Sequence, residues 1–117
     1  NMSEKQVFLL RIQAYSNGGQ WALLLRLSQQ KKNPVGFRPF AIAAIRHRQP
    51  EAVVAEYIDR LPVPEERLEF ALDQRLWGRA TDAAIKLRDI KSLTEIQRRC
   101  HDEDLKTEIE RSLQMMM

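Results

Sequence analysis

The chain has 117 residues, 44% of them hydrophobic and 30% charged, with four Gly, five Pro and a formal charge of +3. That size and apolar content are enough to bury one core, which excludes disorder, and the long helix-favouring side chains point to an all-helical chain. Nineteen basic residues against sixteen acidic ones read as a mild excess spread along the sequence, which does not call for a nucleic acid.

Apolar residues recur at three and four spacing between regular breakers, and this predicts helices over 3–16, 20–30, 37–48, 50–61, 64–75, 77–88, 90–99 and 102–114. The first ends at Asn17-Gly18-Gly19, a left-handed stop that glycine adopts cheaply. The second carries the run from Trp21 to Leu27, which Arg26 interrupts, so no stretch approaches a membrane span. Asn33-Pro34-Val35-Gly36 breaks it, because Pro34 restricts Asn33 to extended geometry. Phe37 and Phe40, three apart, would pin this corner to the core, while Lys31-Lys32 reads as a solvated loop. Pro50 suits the first turn of the fourth helix, and Leu61-Pro62-Val63-Pro64-Glu65-Glu66 is a stop followed by a proline-led, acid-led start.

Three segments align as helix end, tight corner and small-residue start: Ala14 to Ala22, Ala44 to Ala52, and Leu72 to Ala80. A repeat of roughly thirty residues is the mark of an α-solenoid of antiparallel helix hairpins, here about seven to eight short helices. Ala22, Ala52 and Ala80 would then sit at equivalent close crossings. No linker interrupts residues 1–117, which read as one solenoid domain, and the opening Asn-Met-Ser-Glu suggests a fragment of a longer protein.

Chemistry is sparse. Cys100 is the single cysteine, so no internal disulfide can form, and a reducing, cytoplasmic setting is expected. Cys100-His101 lacks the paired spacing of a zinc site, and no phosphate loop, nucleophile elbow or His-Glu-x-x-His run is present. The acid pairs Glu65-Glu66 and Glu103-Asp104 open helices, where the dipole explains them. The expectation is a binding chain with no cofactor and no catalytic residues.

Two places invite a partner. In the second helix Trp21, Leu24, Leu25 and Ser28 fall on one side, while Leu23 and Leu27 widen the apolar arc beyond what a surface helix needs. That width either lies under neighbouring helices or meets another chain. The second place is Arg88, at the end of Asp82-Ala83-Ala84-Ile85-Lys86-Leu87-Arg88-Asp89, either a cation on the helix C-terminus or a forked interface donor. Arg79, Asp82 and Lys86 would share its exposed face.

The stretch from Gln20 to Phe40, an aromatic-led helix running into Lys31-Lys32-Asn33-Pro34-Val35-Gly36-Phe37-Arg38-Pro39-Phe40, resembles the C-terminal helical region of vacuolar protein sorting-associated protein 16. The likeness extends from about Lys5 to Cys100; the corner is its specific part, and the rest is shared by many helical repeats. It implies a scaffold of endosome and lysosome tethering complexes (HOPS and CORVET), peripheral on late endosome, lysosome or vacuole membranes. The implied partner is the SM-family subunit, vacuolar protein sorting-associated protein 33, alongside other tethering subunits. The family's small residue at the position of Ser28, and its arginine at that of Arg88, contact that partner. Two rivals remain: a paralogous trafficking subunit that binds the second SM form, and a helical repeat that binds nucleic acid through a continuous basic face.

Overall fold

The computed structural model describes residues 2–117, and every regular element in them is an α-helix: α1 (Glu4–Asn17), α2 (Trp21–Ser28), α3 (Arg38–Arg46), α4 (Glu51–Asp59), α5 (Pro64–Asp73), α6 (Trp77–Leu87), α7 (Ile90–Arg99) and α8 (Glu103–Met116). All eight predicted helices are present; α7 has the expected bounds, and the others are shorter or shifted by a residue or two where a terminal turn opens into a corner. The residues form two compact units that meet at Leu61 and Pro62. Pro62 is disfavoured in continued helix, and Val63 is extended, so the chain leaves α4 before Pro64 nucleates α5.

In the first unit α1 packs on α2 and α3, and α3 on α4. Its core is Phe8 and Ile12 of α1, Leu24 and Leu27 of α2, Phe40, Ala41 and Ala44 of α3, and Val54, Ala55, Tyr57 and Ile58 of α4. Phe40 stacks on Tyr57 with ring centroids 5.8 Å apart. Phe37 behaves differently from the paired role expected for it: it is half-buried at the α3 N-terminus, with the Arg60 guanidinium 5.9 Å from its ring centroid. In the second unit α5 packs on α6, α6 on α7 and α8, and α7 on α8. Ala80, Ala84, Leu93, Ile96, Cys100 and Ile109 are completely enclosed. Helices in both units pack on partners next or next but one in sequence, the local logic of helical repeats.

The corners repeat more closely than the sequence suggests. Four helices end on a residue in the left-handed region: Gly19 (φ 69°), Arg48 (51°), Arg75 (56°) and Arg88 (53°). At each the same two hydrogen bonds close the helix. The left-handed residue donates from its N–H to the carbonyl three back, and its successor donates to the carbonyl five back, as in Gly19 to Ser16 (3.2 Å) with Gln20 to Tyr15 (2.8 Å), or Arg88 to Ile85 (3.0 Å) with Asp89 to Ala84 (2.9 Å). This is the Schellman arrangement, which satisfies terminal carbonyls that would otherwise be orphaned.

Superposing these corners corrects the sequence alignment. Gly18 is right-handed (φ −85°), and Gly19 alone supplies the turn. Ala22 and Ala52 are exposed and make no close crossing, whereas Ala80 is fully buried. The equivalent residues lie four past each helix N-cap: Leu24, Val54, Ala80 and Leu93, all 5% exposed or less. Four residues is about one helical turn, so each corner delivers an inward-facing position at the same place.

Candidate protein-docking site

The α2 cluster is inside the fold. Leu24 is 0%, Leu27 3% and Ser28 1% exposed, so of the two readings of this broad apolar arc the structure takes the internal one. The Ser28 hydroxyl donates to the Leu25 carbonyl at 2.6 Å and shares a hydrogen bond with the Tyr57 phenol of α4. Small size at position 28 therefore leaves room for the Tyr57 side chain. Only Ala22, Leu23 and Arg26 of this helix lie on its exposed side. The expectation that Leu24, Leu27 and Ser28 present themselves to a partner is corrected accordingly: an eight-residue helix with six apolar side chains spends most of them on its own unit.

Burial raises the Tyr57 phenol to about 12, with the nearby Glu56 charge adding to the rise and the Ser28 hydrogen bond and Arg60 opposing it. Tyr57 was not singled out in the sequence, where it is one apolar position among several on α4. The corner after α2 hangs on another side chain that gave little signal. The Asn33 amide donates to the carbonyls of Ser28 (3.2 Å) and Gly36 (3.0 Å), and its side-chain oxygen accepts from the Val35 N–H at 3.1 Å. Asn33 thus ties the end of α2 to the positive-φ Gly36, a role proline restriction alone did not suggest.

The α6 group is outside. Arg79, Asp82 and Lys86 occur at i, i+3 and i+7 and are all exposed, while Ala80, Ala83 and Ala84 fill the buried face. Arg88 follows on the same helix and is exposed. Its conformation is the notable part. A left-handed arginine costs about 1–2 kcal/mol relative to the ordinary helical region, and glycine would relieve it. Its backbone, rather than its cation, closes α6, so the guanidinium does not have to serve as the cap. Next to it, Asp89 caps α7 by accepting from the Ser92 N–H at 3.0 Å and the Ser92 hydroxyl at 2.7 Å. Those bonds lower its carboxyl below the usual value. The exposed Arg88 is therefore followed in the chain by a carboxylate held in place by Ser92 at the α6–α7 corner.

Arg99 covers the Trp77 ring at 5.1 Å, which supports the start of α6 from α7. Among the described residues no group of three or more His, Cys, Asp or Glu could hold a metal ion, and no helix is long and apolar enough to cross a membrane. Cys100 is buried.

Comparisons with known proteins give the family of the chain. A family model described as Vps16, C-terminal region, matches residues 1–116. The vacuolar protein sorting-associated protein 16 homolog of Dictyostelium discoideum is 27% identical over 108 residues, covering 92% of this chain and 13% of its own length. The homolog of the same name from Drosophila melanogaster is 30% identical over 96 residues, 81% of this chain and 11% of its own length. No solved structure matches the chain. A match over nearly every residue, with the helices and the Asn33 corner in their expected places, means that this chain belongs to the Vps16 C-terminal-region family.

Proposed function

We propose that this chain is the helical part of a vacuolar-sorting, membrane-tethering subunit that docks an SM-family protein, vacuolar protein sorting-associated protein 33, and carries it to the tethering complex. The supporting observation is family membership across residues 1–116. The chain spans only 13% and 11% of the relatives it matches, so this reading concerns a small portion of such a subunit. The work is positional. Holding an SM-family protein beside two tethered membranes raises its local concentration around the fusion machinery, which requires no catalysis. The complex would sit peripherally on late endosome, lysosome or vacuole membranes.

Within the chain, the exposed α6 strip of Arg79, Asp82, Lys86 and Arg88 is the part of the expected contact that remains available to another protein. Arg88 is the anchor, because arginine offers a rigid fork of donors and ranks among the residues that dominate interfaces. Leu24, Leu27 and Ser28 act indirectly, by shaping the unit whose exposed side α2 lines. The test is co-expression with the SM-family subunit followed by capture. Arg88→Glu should reduce capture about tenfold or more while leaving the helical signal and melting temperature near wild type. Undiminished capture by a folded Arg88→Glu variant would remove this strip from the interface.

A further inference from the structure

The positive charge of this protein is not evenly spread, contrary to the sequence-based expectation. Up to Leu61 there are nine basic and four acidic residues, and from Pro62 onward ten basic and twelve acidic. Residues 5–50 contain eight lysines and arginines and not one carboxylate. In that stretch α1 and α3 pack together and leave an open groove of about 450 Å³ between them. Leu9, Ile12, Pro39 and Ile42 give it an apolar floor, and Arg46 with His47 lies toward one end. The floor residues recur at helical spacing on the facing sides of α1 and α3, so the apolar surface is a strip along the helices. Leu9 is 46% exposed, so the floor is open to solvent on the α1 side.

We infer that this groove receives an acidic amphipathic helix from a partner protein. The occupant's apolar stripe would lie on Leu9, Ile12 and Ile42, and its carboxylates would face Arg46 of α3. Charge selects this occupant: no lining residue is acidic, and none of residues 5–50 is available to repel an anionic helix. Shape argues against the other polyanions. A nucleic acid has no apolar stripe for a leucine and isoleucine floor, and a flat anionic membrane does not enter a groove between two helices. The inference goes beyond the SM-docking proposal and does not depend on it.

The test uses fluorescence anisotropy with a labelled helical peptide of roughly fifteen residues, about as long as α1, carrying leucines at i, i+3, i+4 and i+7 and glutamates elsewhere. A twin peptide has lysine at every glutamate. The acidic peptide should bind the full chain and the lysine twin should not. Leu9→Glu and Arg46→Glu, both at exposed positions, should each weaken binding about tenfold with unchanged melting temperature. The inference is overturned if both variants bind like wild type, if neither peptide binds, or if phosphatidylserine vesicles or a single-stranded oligonucleotide bind with the same dependence on Leu9.

Discussion

Position 28 illustrates how a small residue can matter to a partner without touching one. Ser28 is 1% exposed against Tyr57, so a charged replacement would be forced into the core of its unit. Ser28→Asp should therefore cost about 3 kcal/mol or more, read as a drop in the urea midpoint, and any loss of partner binding would follow from unfolding. A normal midpoint for Ser28→Asp would contradict the burial described here. Tyr57 adds a pH signature. Its folded value of about 12 lies above that of an unfolded tyrosine, so the stability it contributes is complete below about pH 10 and is lost as pH rises toward its folded value. Tyr57→Phe should flatten the alkaline limb of a stability-against-pH curve and cost about 1 kcal/mol at neutral pH through the lost hydrogen bond. Asp89 has the opposite sense. Its lowered carboxyl contributes stability above the ordinary carboxylate value of about 4, and that contribution is lost as pH falls through the folded value.

Among the helices, the shared device is the left-handed corner. Gly19 occupies it at no steric cost, whereas Arg48, Arg75 and Arg88 hold the same geometry against the preference of an L-residue. Arg48→Gly and Arg75→Gly should each raise stability by roughly 0.5–1 kcal/mol in chemical denaturation, because the relief of strain exceeds glycine's added freedom in the unfolded chain. Gly19→Ala should do the reverse by about 1 kcal/mol, although a methyl group there meets nothing within 4 Å. A midpoint that falls for both arginine variants would show that those side chains stabilise their corners by more than the backbone strain. Arg88→Gly belongs to the same series and separates two roles: it should stabilise α6 and still lose the SM-family protein.

At the scale of the whole chain, the two proposed surfaces use different chemistry. The α6 strip presents two arginines among mixed charges, and the α1–α3 groove presents an apolar floor with no acidic lining residue. Their determinants should therefore separate. Arg88→Glu is expected to leave acidic-peptide binding unchanged, and Arg46→Glu to leave capture of the SM-family protein unchanged. Loss of both activities in either single variant, with the fold intact, would mean that one partner spans both surfaces. Salt should weaken the peptide interaction more than the SM interaction, since the charge excess of the first unit, nine basic against four acidic residues, acts through a screened field.

The sequence by itself determined the eight helices, because apolar spacing and breakers act within a few residues and need no tertiary information. It also determined the outward face of α6, where Arg79, Asp82 and Lys86 alternate with alanines of the opposite face. Family resemblance was legible for a related reason, since the Asn33-to-Phe40 corner is a local pattern and Asn33 makes its bonds within five residues. Only the tertiary structure decided the fate of α2. A helix apolar on most of its circumference fits either a core or an interface, and what resolves it is the arrival of Tyr57 from twenty-nine positions further along the chain at Ser28. The left-handed arginines were equally out of reach, because arginine carries no preference for that backbone region and adopts it where packing on both sides fixes the corner. The α1–α3 groove likewise exists only once two segments some thirty residues apart lie together, which turns a charge imbalance in the sequence into a place for a ligand.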